Sequence, residues 1–145
     1  MFKFRFQKAL EFKQKEEDII KDELKQKRYE LNILQEKLIE VENEIKIFMK
    51  KYSEMKQNRI NIMMIKNYDS FLLRLKKKKE ISEINIKEKE KEIEKSEELY
   101  FEKRKEKKTF EKLKEKYFER YKEEEIKKEQ KFIDEISNNM YNRRK

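Results

Sequence analysis

Chemistry in this chain can come only from carboxylates, cationic side chains, amides, hydroxyls, thioethers and aromatic rings, because its 145 residues include no Cys, His or Trp. Disulfides, thiolate and imidazole metal sites, and the commonest nucleophile and base pairings are all absent. The expectation is a non-enzymatic protein with no cofactor and no small-molecule substrate. The 32 acidic residues are spaced for another task. Glu11 and Lys15, Glu17 and Lys21, and Glu42 and Lys46 stand four apart in the acid-first order that supports an exposed helix by a few tenths of a kcal/mol each.

The elements that carry these residues follow from composition. Half of the chain is charged, 35% is hydrophobic, and neither Gly nor Pro occurs, so few chain reversals are possible and long helices remain. Disorder is the first alternative for so polar a chain, but its 17 Phe and Tyr residues recur at helical spacing. No run approaches a membrane span. The opening Met1-Phe2-Lys3-Phe4-Arg5-Phe6 lacks the apolar centre of a signal peptide, so an intracellular protein is expected.

A sustained heptad fills the first half. Leu10, Leu24, Leu31, Leu38, Ile45 and Tyr52 keep one position, and Phe6, Ile20, Leu34, Val41, Phe48, Met55 and Ile62 keep the other. Only Lys13, Glu17, Lys27 and Arg59 interrupt this seam. The second half is thinner: Leu72, Leu75, Ile86, Ile93, Tyr100, Phe110, Tyr117 and Tyr121 share a frame with Lys79, Ser82, Lys89, Ser96, Lys103, Lys107 and Lys114. Such a seam suits the richer first helix better than a copy of itself. The fold class expected is therefore all-α, two long helices in an antiparallel coiled-coil hairpin, forming a single coiled-coil domain over residues 1–145. Helix one should span about residues 2 to 57, the turn about 58 to 62, and helix two about 63 to 142.

The turn is assigned to Gln57-Asn58-Arg59-Ile60-Asn61, because Asn accepts a left-handed conformation more readily than other side chains. In an antiparallel pair the numbers of facing residues share one sum, and the two frames allow sums near 120 or 127. A sum of 120 centres the reversal on Ile60 and sets Phe48 against Leu72, Ile45 against Leu75, Leu34 against Ile86, Ile20 against Tyr100, Leu10 against Phe110 and Glu17 against Lys103. A sum of 127 would set Ile20 against Lys107, so the first register is preferred. Helix one then ends opposite residue 119 or so, and some 25 residues of helix two project, about 40 Å at 1.5 Å per residue. Ile126, Ile133, Ile136 and Met140 form an uncovered stripe there, beside Phe132 and Tyr141 and ahead of the basic Asn142-Arg143-Arg144-Lys145.

In length, two-helix plan and local pattern the chain resembles the FliJ family, the coiled-coil stalk proteins of the bacterial flagellar export apparatus. The resemblance rests on Phe4-Arg5-Phe6-Gln7-Lys8-Ala9-Leu10 with Lys13-Gln14-Lys15-Glu16-Glu17, on Tyr68 and Phe71 with Leu75, and on Phe110-Glu111-Lys112-Leu113-Lys114-Glu115-Lys116-Tyr117 leading into Glu129-Gln130-Lys131-Phe132-Ile133-Asp134-Glu135. It covers nearly the whole chain. The sequence is richer in Lys, Ile and Asn than many relatives, which favour Leu, Ala and Arg. The resemblance implies a stalk that resembles a rotary ATPase shaft, inserts its helix ends into the hexameric export ATPase ring, links that ring to the cytoplasmic domain of the membrane export gate, and engages export chaperones. It also implies a peripheral location on the cytoplasmic face of the cell membrane at the flagellar base. Carried over by position, the ring-facing residues would be Phe4, Phe6, Phe118, Ile126, Ile133 and Met140. The gate-facing residues would be Ile45, Phe48, Tyr52, Phe71 and Leu75, while Lys78 and Ser82 stand where relatives carry other residue types.

The residues themselves keep other readings open. Ile45 and Leu75 lie on the seam, where packing between the helices is the simpler role, whereas Phe71 lies off it beside Leu72 and Leu73 and presents more apolar surface than one partner helix covers. Ile62-Met63-Met64-Ile65 is either an adaptable contact or a plug closing the tip. Lys76-Lys77-Lys78-Lys79 is either a solvated face or a site for an acidic protein, an anionic leaflet or phosphates. Basic and acidic residues otherwise alternate, which argues against a nucleic-acid partner. Binding nucleic acid and serving as a passive structural spacer are the alternative functions.

Overall fold

The computed structural model describes residues 1–58 and 61–144. They form two long helices, α1 (Gln7–Lys56) and α2 (Ile62–Arg144), packed as an antiparallel hairpin, with no strand among the described residues. Nothing in either sequence breaks the helical backbone ladder, since neither Pro nor Gly interrupts it. The expected reversal centre, Ile60, lies outside the described residues, as does Arg59.

The residues flanking that gap show how the helices end. Asn58 N–H donates to the Met55 carbonyl at 3.0 Å. Asn61 caps α2: its Oδ1 accepts from the Met63 N–H at 3.4 Å and its carbonyl from the Met64 N–H at 3.0 Å. Asn61 thus acts through its side-chain oxygen. The left-handed backbone expected of this cluster does not occur among the described residues.

The chain divides into two compact units, Ile20–Leu99 and Met1–Ile19 with Tyr100–Lys145. In the first, Leu24, Val41, Leu75, Ile86 and Ile93 form the buried seam. The polar seam positions are matched across it. Lys27 Nζ donates to the hydroxyl of buried Ser96 at 2.7 Å, and Lys89 reaches Glu30 at 2.8 Å. Lys79 lies 4.0 Å from Glu42. Tyr52 and Tyr68, whose numbers add to 120, meet with tilted rings 5.6 Å apart between centroids.

In the second unit α1 begins at Gln7, five residues later than expected. The preceding residues are not helical, and their aromatic side chains pack across the pair. Phe2 meets Phe118 edge-on at 5.1 Å and Tyr121 at 5.5 Å, and Phe4 lies 5.7 Å from Tyr117. The Gln7 N–H donates to the Phe4 carbonyl at 3.2 Å, tightening the entry into the helix. Phe2 and Phe118 again add to 120, and among the described residues no cross-helix ion pair, hydrogen bond or ring contact has numbers adding to 127.

One expected pairing is corrected. Glu17 pairs with Lys107 at 2.6 Å and not with Lys103, which turns to Glu16 at 3.4 Å. Side chains lean toward the N-terminus of their own helix. In an antiparallel pair Glu17 and Lys107 therefore lean toward each other, although their Cα atoms are about one turn out of register.

Candidate functional site

Among the described residues no cluster of His, Cys, Asp and Glu could hold a metal ion, and no helix is long and apolar enough to cross a membrane. The candidate sites are apolar surfaces on helices, and their geometry decides which residues can meet a partner.

The first surface lies in the Ile20–Leu99 unit. Phe48, half-buried on the seam of α1, packs its ring 4.8 Å from Phe71 and 5.2 Å from Tyr68 of α2. This aromatic cluster forms one wall of an open groove of about 220 Å³ lined by Glu44, Ile47, Phe48, Lys51, Phe71 and Leu75. Phe71 is 44% exposed at its edge, whereas Leu75 is buried at its floor. Tyr52 is held from both sides: its hydroxyl hydrogen-bonds Asp69 at 3.2 Å, and Lys56 Nζ sits 4.5 Å over its ring. Ile45 is half-buried and lies beside Glu42, Lys46 and Lys79. The structure thus brings Phe48, Phe71 and Leu75 into one groove, while Ile45 and Tyr52 pack beside it. Exposed Ile47 belongs to the same groove and was missed in the sequence reading. Its signal was an apolar residue one place before seam Phe48, on a face the heptad leaves to solvent.

The second surface lies in the other unit. Phe4 is buried and serves the pair itself, and Phe6 is half-buried, its ring 6.4 Å from Tyr117. Phe118 is 40% exposed, with Phe2 on one side and Lys122 Nζ 4.6 Å over its ring. Beyond Tyr121 every described residue of α2 except Glu125 is exposed, so Ile126, Ile133, Ile136 and Met140 form a bare stripe alongside Phe132. This is the arrangement expected for the projecting segment. Of the six ring-facing candidates, four lie on accessible surface and Phe4 does not.

Charge within this unit is organised tightly. Lys13 and Lys103 alternate with Glu16 and Glu106 in a closed ring of ion pairs, 2.9 to 3.6 Å apart. The bonded Glu106 carboxylate raises the Lys13 ammonium above its ordinary value, and Lys13 lowers Glu106 in return. Lys107 is raised by its partner Glu17. In the Ile20–Leu99 unit the same reciprocity holds for Lys89, raised by Glu30, and Glu30, lowered by Lys89. These pairs fasten the seam between the helices.

Of the Lys76–Lys79 run, Lys79 is half-buried and lies 4.0 Å from Glu42 across the pair and from Glu83 on its own helix, while Lys76, Lys77 and Lys78 are exposed. Ile62, Met63 and Met64 are also exposed, while Ile65 is half-buried.

Comparison with known protein families matches the chain, over residues 2–145, to the family described as Flagellar FliJ protein. Comparisons with curated proteins and with solved structures give no match.

Proposed function

The chain is a member of the flagellar FliJ family, and from that membership we propose that it is a non-enzymatic component of flagellar type III protein export, a stalk between the export ATPase ring and the membrane export gate. The observation that carries this reading is the bare stripe of α2. Ile126, Ile133 and Met140 are each more than half exposed on a helix that has outrun its partner within the chain. A single amphipathic helix with an uncovered apolar face gains stability when another protein covers it.

In this reading the stripe and Phe118 enter the hexameric ATPase. A helix contacts one side of a six-membered ring at a time, so it can bias nucleotide states around that ring without doing chemistry. The groove of Phe48, Phe71 and Leu75 receives the cytoplasmic domain of the gate: an aromatic edge over an aliphatic floor, with Glu44 and Lys51 to orient the partner. Export chaperones are further partners, and the protein works peripherally at the cytoplasmic face of the membrane.

The test is ATP hydrolysis by the cognate export ATPase, with and without the chain. Added protein should raise the rate. Ile126→Ser with Ile133→Ser should abolish that rise while leaving helix content unchanged, since both residues are exposed. Equal stimulation by the double variant, or by a chain lacking residues 122 to 145, would remove the stripe from the mechanism. A rate that ignores the protein altogether would favour a passive spacer.

A further inference from the structure

The net charge of +9 is not spread along the chain. Residues 46 to 80 hold eleven Lys and Arg against three Asp and Glu, a balance of +8, while the other 110 residues are nearly neutral. The same stretch exposes Ile62, Met63 and Leu73, each 57% or more. The first turns of α2 therefore combine a concentrated positive field with apolar side chains turned to solvent.

These features share one face. From Ile62 the spacings of four, seven and four reach Lys66, Leu73 and Lys77, so the four residues lie along one side of α2, flanked by Met63 and Arg74. All six are exposed. The opposite side carries Tyr68, Leu72, Leu75 and Lys79, which are buried or half-buried. The only acid from residue 62 to 79 is Asp69, and it is held by the Tyr52 hydroxyl. Lys76 and Lys78 extend the positive field on either side of Lys77.

We propose that this outward face of α2, residues 62 to 78, is a membrane-binding surface that lies along an anionic phospholipid bilayer. The chemistry selects that occupant. Lysine stems bury along an interface while their ammonium groups stay among the headgroups, and Ile, Met and Leu between them reach the acyl boundary. The lipid phosphates supply the complementary charge. A nucleic-acid backbone would use the cations but leave Ile62, Met63 and Leu73 in water. An acidic protein partner calls for a shaped recess, and none of these six residues lines the Phe48 and Phe71 groove or the recess beside Ile45. The face is about 24 Å long at 1.5 Å per residue, enough to rest on a surface and too short to span one. This surface goes beyond the export reading and stands or falls independently of it.

Vesicle flotation of the full chain tests it, with Leu73→Trp as a reporter, because the native sequence has no Trp. Phosphatidylcholine vesicles containing phosphatidylglycerol should carry the protein and shift the emission of the introduced indole to the blue; phosphatidylcholine alone should do neither. Replacing Lys76, Lys77 and Lys78 by Ala should lower partitioning on the order of a hundredfold, with circular dichroism unchanged because all three are exposed. No flotation, equal flotation on neutral vesicles, flotation without a blue shift, or full binding by the triple variant would each overturn the proposal. So would polyuridylate binding through the same lysines more tightly than the vesicles.

Discussion

Neighbouring apolar residues of this chain have very different jobs, and exposure separates them. Leu24 and Val41 are 5% and 3% exposed in the seam, so truncation leaves a cavity between helices. Leu24→Ala should cost about 2 to 4 kcal/mol of unfolding free energy in urea titrations followed by circular dichroism. Ile133→Ala on the bare stripe should change stability by less than about 0.5 kcal/mol. A comparable loss at both positions would mean that the stripe is packed. Phe71 stands between these extremes: its ring touches Phe48, yet its outer edge is open. The heptad marked Phe71 as off the seam, but sequence spacing could not show that Ile47 shares its groove, because that depends on how two faces meet.

The two helices select each other through their polar seam positions. Helix α2 carries lysines where a self-pairing coiled coil would carry leucines, and α1 supplies glutamates to meet them: Glu42 for Lys79, Glu30 for Lys89, Glu16 for Lys103 and Glu17 for Lys107. A copy of α2 would set lysine against lysine. Glu17 is buried, so Lys107→Leu alone strands a carboxylate in the seam. That single variant should melt lower than the double variant Glu17→Leu with Lys107→Leu. A double variant that is the less stable of the two would contradict a buried pair.

The titration directions set a pH window. Glu30 and Glu106 are lowered, so their stabilisation is present above the ordinary carboxylate value of 4.5 and is lost as acid protonates the folded-state groups. Lys13, Lys89 and Lys107 are raised, so theirs is complete below 10.5 and is lost as pH climbs through their folded values. Melting temperature should therefore hold through neutral pH and fall at both ends. A chain that melts higher at pH 3 than at pH 7 would rule out these pairs as fasteners. The fold and its register were legible because a seven-residue repeat persists through both halves. The start of α1 at Gln7 was not, since helix periodicity cannot report that Phe2 and Phe4 prefer the rings of Phe118, Tyr121 and Tyr117. Nor could Cα register alone predict that Glu17 reaches Lys107.

For the molecule as a whole, the groove, the bare stripe and the basic face all require that the chain doubles back, so that α1 covers part of α2 and leaves the remainder bare. Helix content does not test this, because α1 and α2 together span 50 and 83 residues whether or not they fold against each other. A distance does. The native chain has no Cys, so spin labels attach only at introduced sites, and Glu11 and Glu111 are exposed positions beside facing Leu10 and Phe110. Electron–electron dipolar spectroscopy on Glu11→Cys with Glu111→Cys should return about 20 Å, two packed helices 8–10 Å apart with the label arms added. It should do so in chains diluted with unlabelled protein, which excludes pairing between copies. A continuous helix would separate the two sites by roughly 150 Å, and loss of the short distance in diluted chains would contradict the hairpin and everything built on it.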